Sequence, residues 1–152
     1  MIPPCPFVGL VFIKRKKGDM RSLLRNESGF AGQLKHLTGP KLRYEVFDGS
    51  AKPKGTAQLF ASARVVVGAH GGALANIIFC PEDAAIFELG FQSPFAGHYR
   101  FLAKMFNLRM TLLPLVPDSR GIASQEIALE SMEAALEAVR AAVAEFMSHT
   151  EL

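Results

Sequence analysis

Short apolar runs alternate with amphipathic segments along the chain. The first run, from Phe7 to Lys14, is apolar at nearly every position, which is typical of a strand buried on both faces of a parallel sheet. Strands are predicted over 7–14, 42–47, 64–68, 84–89 and 110–115, and helices over part of 21–37 and over 56–63, 72–79 and 98–106. Thr56 is the expected N-cap of the second helix. The alternation predicts an α/β fold, a Rossmann-like open and mostly parallel sheet with helices on both faces.

The end of the chain has a different pattern. Pro114, Pro117 and Gly121 mark a loop, and Ser124 is expected to open one long amphipathic helix that reaches about His149. Its apolar positions recur near the helical period, at Ile127, Met132, Leu136, Val139, Val143 and Phe146. We therefore expect a single domain over 1–152, with an α/β core over 6–116 and this helix over 124–149.

Composition supports a globular domain and narrows its class. The 152 residues are 49% hydrophobic and 20% charged, and the formal charge is only +3. Much of the positive excess lies in one predicted loop, at Lys14, Arg15, Lys16, Lys17, Arg21 and Arg25. No aromatic cluster is interleaved with these charges, so a nucleic-acid partner is not expected. The apolar run 7–13 is too short to span a membrane, and its charges follow it, unlike those of a secretory signal.

The segment 65–76, Val-Val-Val-Gly-Ala-His-Gly-Gly-Ala-Leu-Ala-Asn, carries the strongest functional signal. A β-branched run ends at Gly68, His70 follows, and a glycine pair precedes a predicted helix. A strand, a tight turn and a helix N-terminus place backbone N–H groups and the positive end of the helix dipole at one point. This arrangement favours an anion, and phosphate is the expected group.

Three features follow predicted strands and should meet at the carboxyl edge of the sheet, where open α/β proteins bind ligands. They are the basic loop after the first strand, His70-Gly71-Gly72 after the third, and Glu88-Leu89-Gly90 at the end of the fourth. The arginines are suited to bidentate phosphate contacts, and His70 to donating to phosphate or to a leaving group. Glycine at 71 and 72 allows close backbone approach.

Each of these residues also has a purely structural interpretation. The basic loop can be a solvated strand end, and His70 can cap its turn. Asn76 can contact a ligand or bond to its own helix. Glu88 can bond sugar hydroxyls or form a salt bridge to a basic neighbour. The sequence leaves these alternatives open, as it does a pairing of Cys5 with Cys80.

Several motifs are absent from the sequence. No GxGxxG follows the first strand, and no GxxxxGK[ST] occurs. No Asp-x-Asp pair is present to hold a metal with a diphosphate, and no Cys/His spacing suits zinc. We therefore expect arginine and helix-dipole neutralisation of phosphate, with no metal or other cofactor.

Taken together, these residues resemble glycosyltransferase family 61, which includes the EGF-domain-specific O-GlcNAc transferase and plant β-1,2-xylosyltransferases. The similarity is strongest over 60–89, through Phe60-Ala61-Ser62-Ala63, the segment 65–76, Phe79-Cys80-Pro81 and Phe87-Glu88-Leu89. These follow the family order "GxHGAGLTN, iF.P, vvE". Arg15 and the segment 21–27 are similar to the upstream "R…RRilNE" pattern.

The resemblance implies the C-terminal, donor-binding half of a GT-B transferase, inverting and metal-independent, that uses a nucleotide sugar. UDP is the expected nucleotide, the sugar would be GlcNAc, xylose or a similar unit, and a glycan or glycoprotein the acceptor. By position, it implies donor binding by Arg15, Arg21, Asn26, His70, Gly71, Asn76 and Glu88. The residue pattern itself adds Arg25 and Gly72 as phosphate-binding candidates and His70 as the catalytic residue. An N-terminal acceptor half would be a partner, and family members usually work in the ER or Golgi lumen. The alternative is a non-catalytic nucleotide-binding or interaction module that has lost its acceptor half.

Overall fold

The computed structural model describes residues 8–14, 26–92, 97–117 and 127–150. Its strands are β1 (Val8–Ile13), β2 (Arg43–Phe47), β3 (Ala63–Ala69), β4 (Ala85–Gly90), β5 (Arg109–Pro117) and β6 (Ile127–Leu129). Its helices are α1 (Glu27–Thr38), α2 (Pro53–Ala61), a 3₁₀ helix (Gly72–Phe79), α3 (His98–Met105) and α4 (Met132–Thr150). The predicted α/β architecture is confirmed. No helix in the described ranges is long and apolar enough to cross a membrane.

The strand order creates a topological switch point at one edge of the sheet, and the region beyond the carboxyl ends of β1 and β3 is called the crevice below. The order is β2-β1-β3-β4-β5-β6, and β1 to β5 are all parallel. The chain starts at β1, moves outward to β2, and then returns past β1 to β3. The winding direction therefore reverses between β1 and β3. In open α/β sheets ligands bind at such a switch point.

Alternate side chains of the central strands enter two separate cores. On one face Leu10, Phe12 and Val67 pack with α1 and α4, and Phe12 meets Phe30 of α1 edge to face at 6.0 Å. On the other face the core includes Val66 and the residues of α2, the 3₁₀ helix and α3 that contact it. Because both faces are covered, the central strands are apolar at most positions on both faces rather than alternating.

The C-terminal segment differs from the expected single helix. Residues 127–129 form β6, which pairs antiparallel with β5, and α4 begins only at Met132. Ser131 Oγ accepts a hydrogen bond from Ala134 N at 3.1 Å, so Ser131 provides the N-cap. The expected helix start at Ser124 lies outside the described residues, and Ile127 belongs to a strand. The prediction began the helix too early because Ile127 fits its apolar periodicity. An edge strand of three residues is too short to show a strand period of its own.

Two smaller expectations near α2 and β5 are also corrected. The α2 helix begins at Pro53, so Thr56 lies inside it and Lys52 is its N-cap residue. Proline favours the first helical position because it has no N–H to satisfy there. Strand β5 includes the predicted strand 110–115 and continues to Pro117. Pro114 and Pro117, which we expected to mark a loop, are strand residues, and Pro114 pairs with Gly90. The expected helix over 72–79 is present and has 3₁₀ geometry.

Candidate functional site at the carboxyl edge of the sheet

His70 follows β3 directly at the switch point. Its backbone N donates to Leu89 O of β4 at 2.8 Å, which continues the ladder one residue beyond the β3–β4 register. The side chain of Val66 points to the α2 and α3 face, and the alternation of the strand directs His70, four residues later, to the same face. The imidazole therefore lies above the carboxyl edge, beside the crevice.

Glu88 of β4 contacts this imidazole. His70 Nδ1 and Glu88 Oε1 lie within hydrogen-bonding distance, and since a carboxylate only accepts, Nδ1 is the donor. The Glu88 side chain is 6% exposed, whereas that of His70 is 37% exposed. Of the two interpretations of Glu88 considered above, the structure shows the contact with a basic neighbour.

Two residues that the sequence did not single out complete this cluster. The His98 ring lies 4.9 Å from that of His70, and the Tyr99 ring 5.1 Å, both edge to face. Both belong to the first turn of α3, which begins at the carboxyl edge because it follows β4. The sequence did carry a signal for these two residues. They begin a predicted helix that follows a strand, and such a helix starts at the carboxyl edge of the sheet, where ligands bind.

The turn after His70 leads into the 3₁₀ helix. Gly71 has an extended backbone, and Leu74 N donates to Gly71 O at 3.0 Å, which is the first bond of the helix. The amides that precede Leu74 therefore have no partner within the helix. A Cβ added at Gly72 would meet no atom within 4 Å, so the space beside it is open.

Asn76 lies within the 3₁₀ helix, and its side chain bonds to that helix. Asn76 Nδ2 donates to Ala73 O at 2.9 Å. This is the second of the two alternatives considered for Asn76, a bond of the side chain to its own helix. A contact with a ligand through its Oδ1 stays a prediction.

The β1 side of the crevice is described only in part. Lys14 is exposed, and its backbone N donates to Phe47 O at 2.9 Å. Arg15, Arg21 and Arg25 lie outside the described residues. Asn26 is the N-cap residue of α1 in a left-handed conformation with φ 56°, and its side chain makes no capping hydrogen bond. Because α1 runs back along β1, Asn26 lies at the carboxyl edge.

A model of the glycosyltransferase 61 family matches residues 6–87. This range is more than half of the chain, and it includes β1, β3 and the His70-Gly71 turn. The chain belongs to the glycosyltransferase 61 family. The matched range ends one residue before Glu88. No curated protein matches the sequence significantly.

A solved structure supports the fold of this family 61 domain. The flavodoxin-like domain of a Synechococcus sp. protein is 14% identical, with a TM-score of 0.50. The alignment covers 93% of this chain and 99% of that domain. At this identity the likeness concerns the fold alone, and it agrees with the β2-β1-β3-β4-β5 order.

Other groups of the domain lie away from the crevice. A cavity of about 410 Å³ lies at the opposite edge, lined by Arg64, Glu82, Asp83, Arg109, Ala142, Glu145, Phe146 and His149. Arg109 Nη1 binds Glu145 there at 2.8 Å, and the Arg64 guanidinium lies 5.6 Å from the Phe146 ring centroid. These contacts join α4 to the sheet. Cys80 is a buried free thiol, and Cys5 lies outside the described residues.

Potential metal ligands are dispersed in this domain. Within the described residues, no three His, Cys, Asp or Glu side chains are grouped so that they could hold a metal ion. The acidic member of the crevice, Glu88, is directed at His70 rather than at another carboxylate. The chemistry that the cluster offers is therefore that of an imidazole oriented by a carboxylate.

Proposed function

We propose that this family 61 domain binds a nucleotide sugar and takes part in transfer of the sugar to a glycan or glycoprotein. The observation that carries the proposal is the position of the family motif at the topological switch point. His70 and Gly71 follow β3 there, and Lys14 follows the adjacent strand β1. In folds of this kind the switch point is where a nucleotide is held.

The reaction that fits is an inverting displacement. An acceptor hydroxyl oxygen attacks the anomeric carbon of the donor, while the bond from that carbon to the diphosphate oxygen breaks. The electron pair leaves with the nucleoside diphosphate, which gains negative charge, and the acceptor proton passes to a base. We assign no base within this chain and expect it from an N-terminal, acceptor-binding half of a GT-B enzyme.

The developing charge on the diphosphate is the step that this chain would stabilise. We propose His70 as the catalytic donor, assisted by the amides of Gly71 and Gly72. Arg15, Arg21 and Arg25 would bind phosphate from the β1 side, with Asn26, Asn76 and Glu88 near the nucleotide sugar. One preorganised donor to a developing oxyanion is worth about 3 kcal/mol. With these cations and amides available, we propose that no metal or other cofactor is required.

Ligand-dependent thermal unfolding tests the donor site. UDP at about 100 times its Kd should stabilise the fold by about 2.7 kcal/mol, which raises Tm by roughly 5–10 °C for a domain of this size. UDP, UDP-GlcNAc and UDP-xylose should be compared with uridine, which has no phosphate, in buffer containing EDTA. The shift should persist in EDTA and be absent with uridine.

Two matched histidine variants test whether the UDP-dependent rise in Tm comes from the crevice. His70→Ala should reduce the UDP shift, whereas His36→Ala should leave it intact because His36 is exposed in the last turn of α1, at the opposite edge. No shift with any of the three ligands at millimolar concentration would exclude the donor site. Binding without transfer or donor hydrolysis, measured with the acceptor half supplied, would favour the alternative of a non-catalytic nucleotide-binding module.

A further inference from the structure

We propose that Glu88 is a positioning residue that holds the His70 ring in one tautomer and directs its Nε2 toward the donor diphosphate. The identity of the ligand rests on the function proposed above, whereas the contact between Glu88 and His70 does not depend on it. Of the two contacts considered for Glu88, the positioning role builds on the one with the imidazole.

The attachment of His70 to β4 involves both its backbone and its ring. His70 N donates to Leu89 O at 2.8 Å, and His70 Nδ1 donates to the preceding side chain, Glu88. Glu88 itself is fixed in the sheet, where it pairs with Gly68 in the parallel register of β3 and β4. Two anchors on consecutive residues of one rigid strand leave the imidazole little freedom to rotate.

The carboxylate determines where the ring protons are. A carboxylate accepts and does not donate, so the hydrogen bond from Nδ1 to Glu88 Oε1 keeps a proton on Nδ1. Nδ1 points to a side chain that is 6% exposed, whereas the His70 side chain is 37% exposed. The opposite nitrogen is therefore the one that a ligand in the crevice would meet. His98 and Tyr99 pack against the ring and limit its rotation further.

NMR spectroscopy can determine the tautomer of His70 in the ligand-free protein. Long-range ¹H–¹⁵N correlation spectra of the labelled protein should show neutral His70 with its proton on Nδ1. In Glu88→Gln, whose amide can donate or accept, the Nδ1–H form should lose its dominance. His36 provides an internal control because it lies at the other edge, and His70→Ala assigns the His70 signal. An identical tautomer in both proteins would overturn the proposal.

A double-mutant cycle then tests whether Glu88 acts through His70. Calorimetric Kd values for UDP are compared for the wild type, Glu88→Gln, His70→Ala and the double variant. Glu88→Gln should weaken UDP binding by about tenfold, as loss of an orienting partner commonly does. This effect should vanish in the His70→Ala background, because the residue that Glu88 orients is gone.

The outcomes separate this inference from the proposed function. If Glu88→Gln weakens UDP binding equally with and without His70, Glu88 contacts the donor directly and the positioning role is wrong. If the wild type binds no UDP, the proposed function fails, and the tautomer spectra alone decide the role of Glu88. Circular dichroism establishes that each variant is folded. His70→Gln, which retains an N–H for Glu88, replaces His70→Ala if the alanine variant does not fold.

Discussion

Gly68 and Ile13 face each other across the β1–β3 pair at the edge of the crevice. They are partners in the parallel register, and a Cβ added to Gly68 would lie 2.8 Å from Ile13 Cβ. That atom lies at the base of the side chain, so a rotamer change cannot move it away. The close approach of the two strands at the switch point therefore requires glycine at position 68.

The first prediction follows from this contact. Gly68→Ala should lower the free energy of unfolding by about 1–3 kcal/mol, the usual cost of overpacking a tight core. Urea denaturation measures the loss. Gly55→Ala is the matched control, because Gly55 lies in α2 with no atom within 4 Å of an added Cβ. That variant should gain about 0.5–1 kcal/mol from helix propensity. A neutral Gly68→Ala would contradict the packing argument.

The second prediction distinguishes two starts for the C-terminal helix. If α4 is capped by Ser131, Ser131→Ala should destabilise the protein by about 1 kcal/mol. Were Ser131 inside a helix that starts near 124, alanine would stabilise it instead through its higher propensity. Ser148→Ala is the control for losing a serine hydroxyl away from the helix start, because Ser148 Oγ donates to Glu145 O in the last turns of α4. The sign of the Ser131→Ala effect in chemical denaturation decides between the two.

The third prediction concerns the ion pair that joins α4 to β5. The hydrogen bond from Arg109, and then the Arg109 charge, lower the pKa of Glu145 from its ordinary value of 4.5. A carboxyl group with a lowered pKa stabilises the fold above the unfolded-state pKa and loses that contribution as the pH falls through the folded-state pKa. The stability difference between wild type and Glu145→Gln should therefore be present at neutral pH and disappear below the lowered pKa.

Two measurements check that the pH-dependent stability difference arises from the Arg109–Glu145 pair. Glu145→Gln should have a much smaller pH-dependent effect in an Arg109→Gln background, because the main partner is absent and only the weaker influence of the His149 charge remains. High salt should also reduce the difference at neutral pH, since both side chains are about half exposed. A pH dependence of undiminished size without Arg109 would contradict the assignment.

The fourth prediction concerns the buried thiol. Burial raises the pKa of Cys80 to about 12, so the thiolate that reacts with alkylating agents is scarce at pH 8. Iodoacetamide should leave the Cys80 peptide unlabelled in the native protein and label it fully in urea, as read by peptide mass spectrometry. Rapid labelling of native Cys80 at pH 8 would show that the site opens locally.

Much of the fold could be predicted from local patterns. Strands β1, β3 and β4 are apolar at most positions because both of their faces are covered, and such runs are visible in the sequence. The His70-Gly71-Gly72 turn was predictable too, since a β-branched run that ends in glycine before a helix has few alternatives. These features depend on neighbours along the chain.

The tertiary structure decided what depends on distant partners. The short strand β6 exists because β5 offers it an open edge, and no pattern within three residues could show this. The contact of Glu88 with His70 joins residues that are 18 positions apart, and it required the β3–β4 register to bring them together. The sequence alone determined which side chains could carry chemistry at the carboxyl edge. The pairing of strands determined which of them meet, because a shift of one residue in the register would send Glu88 to the opposite face of the sheet.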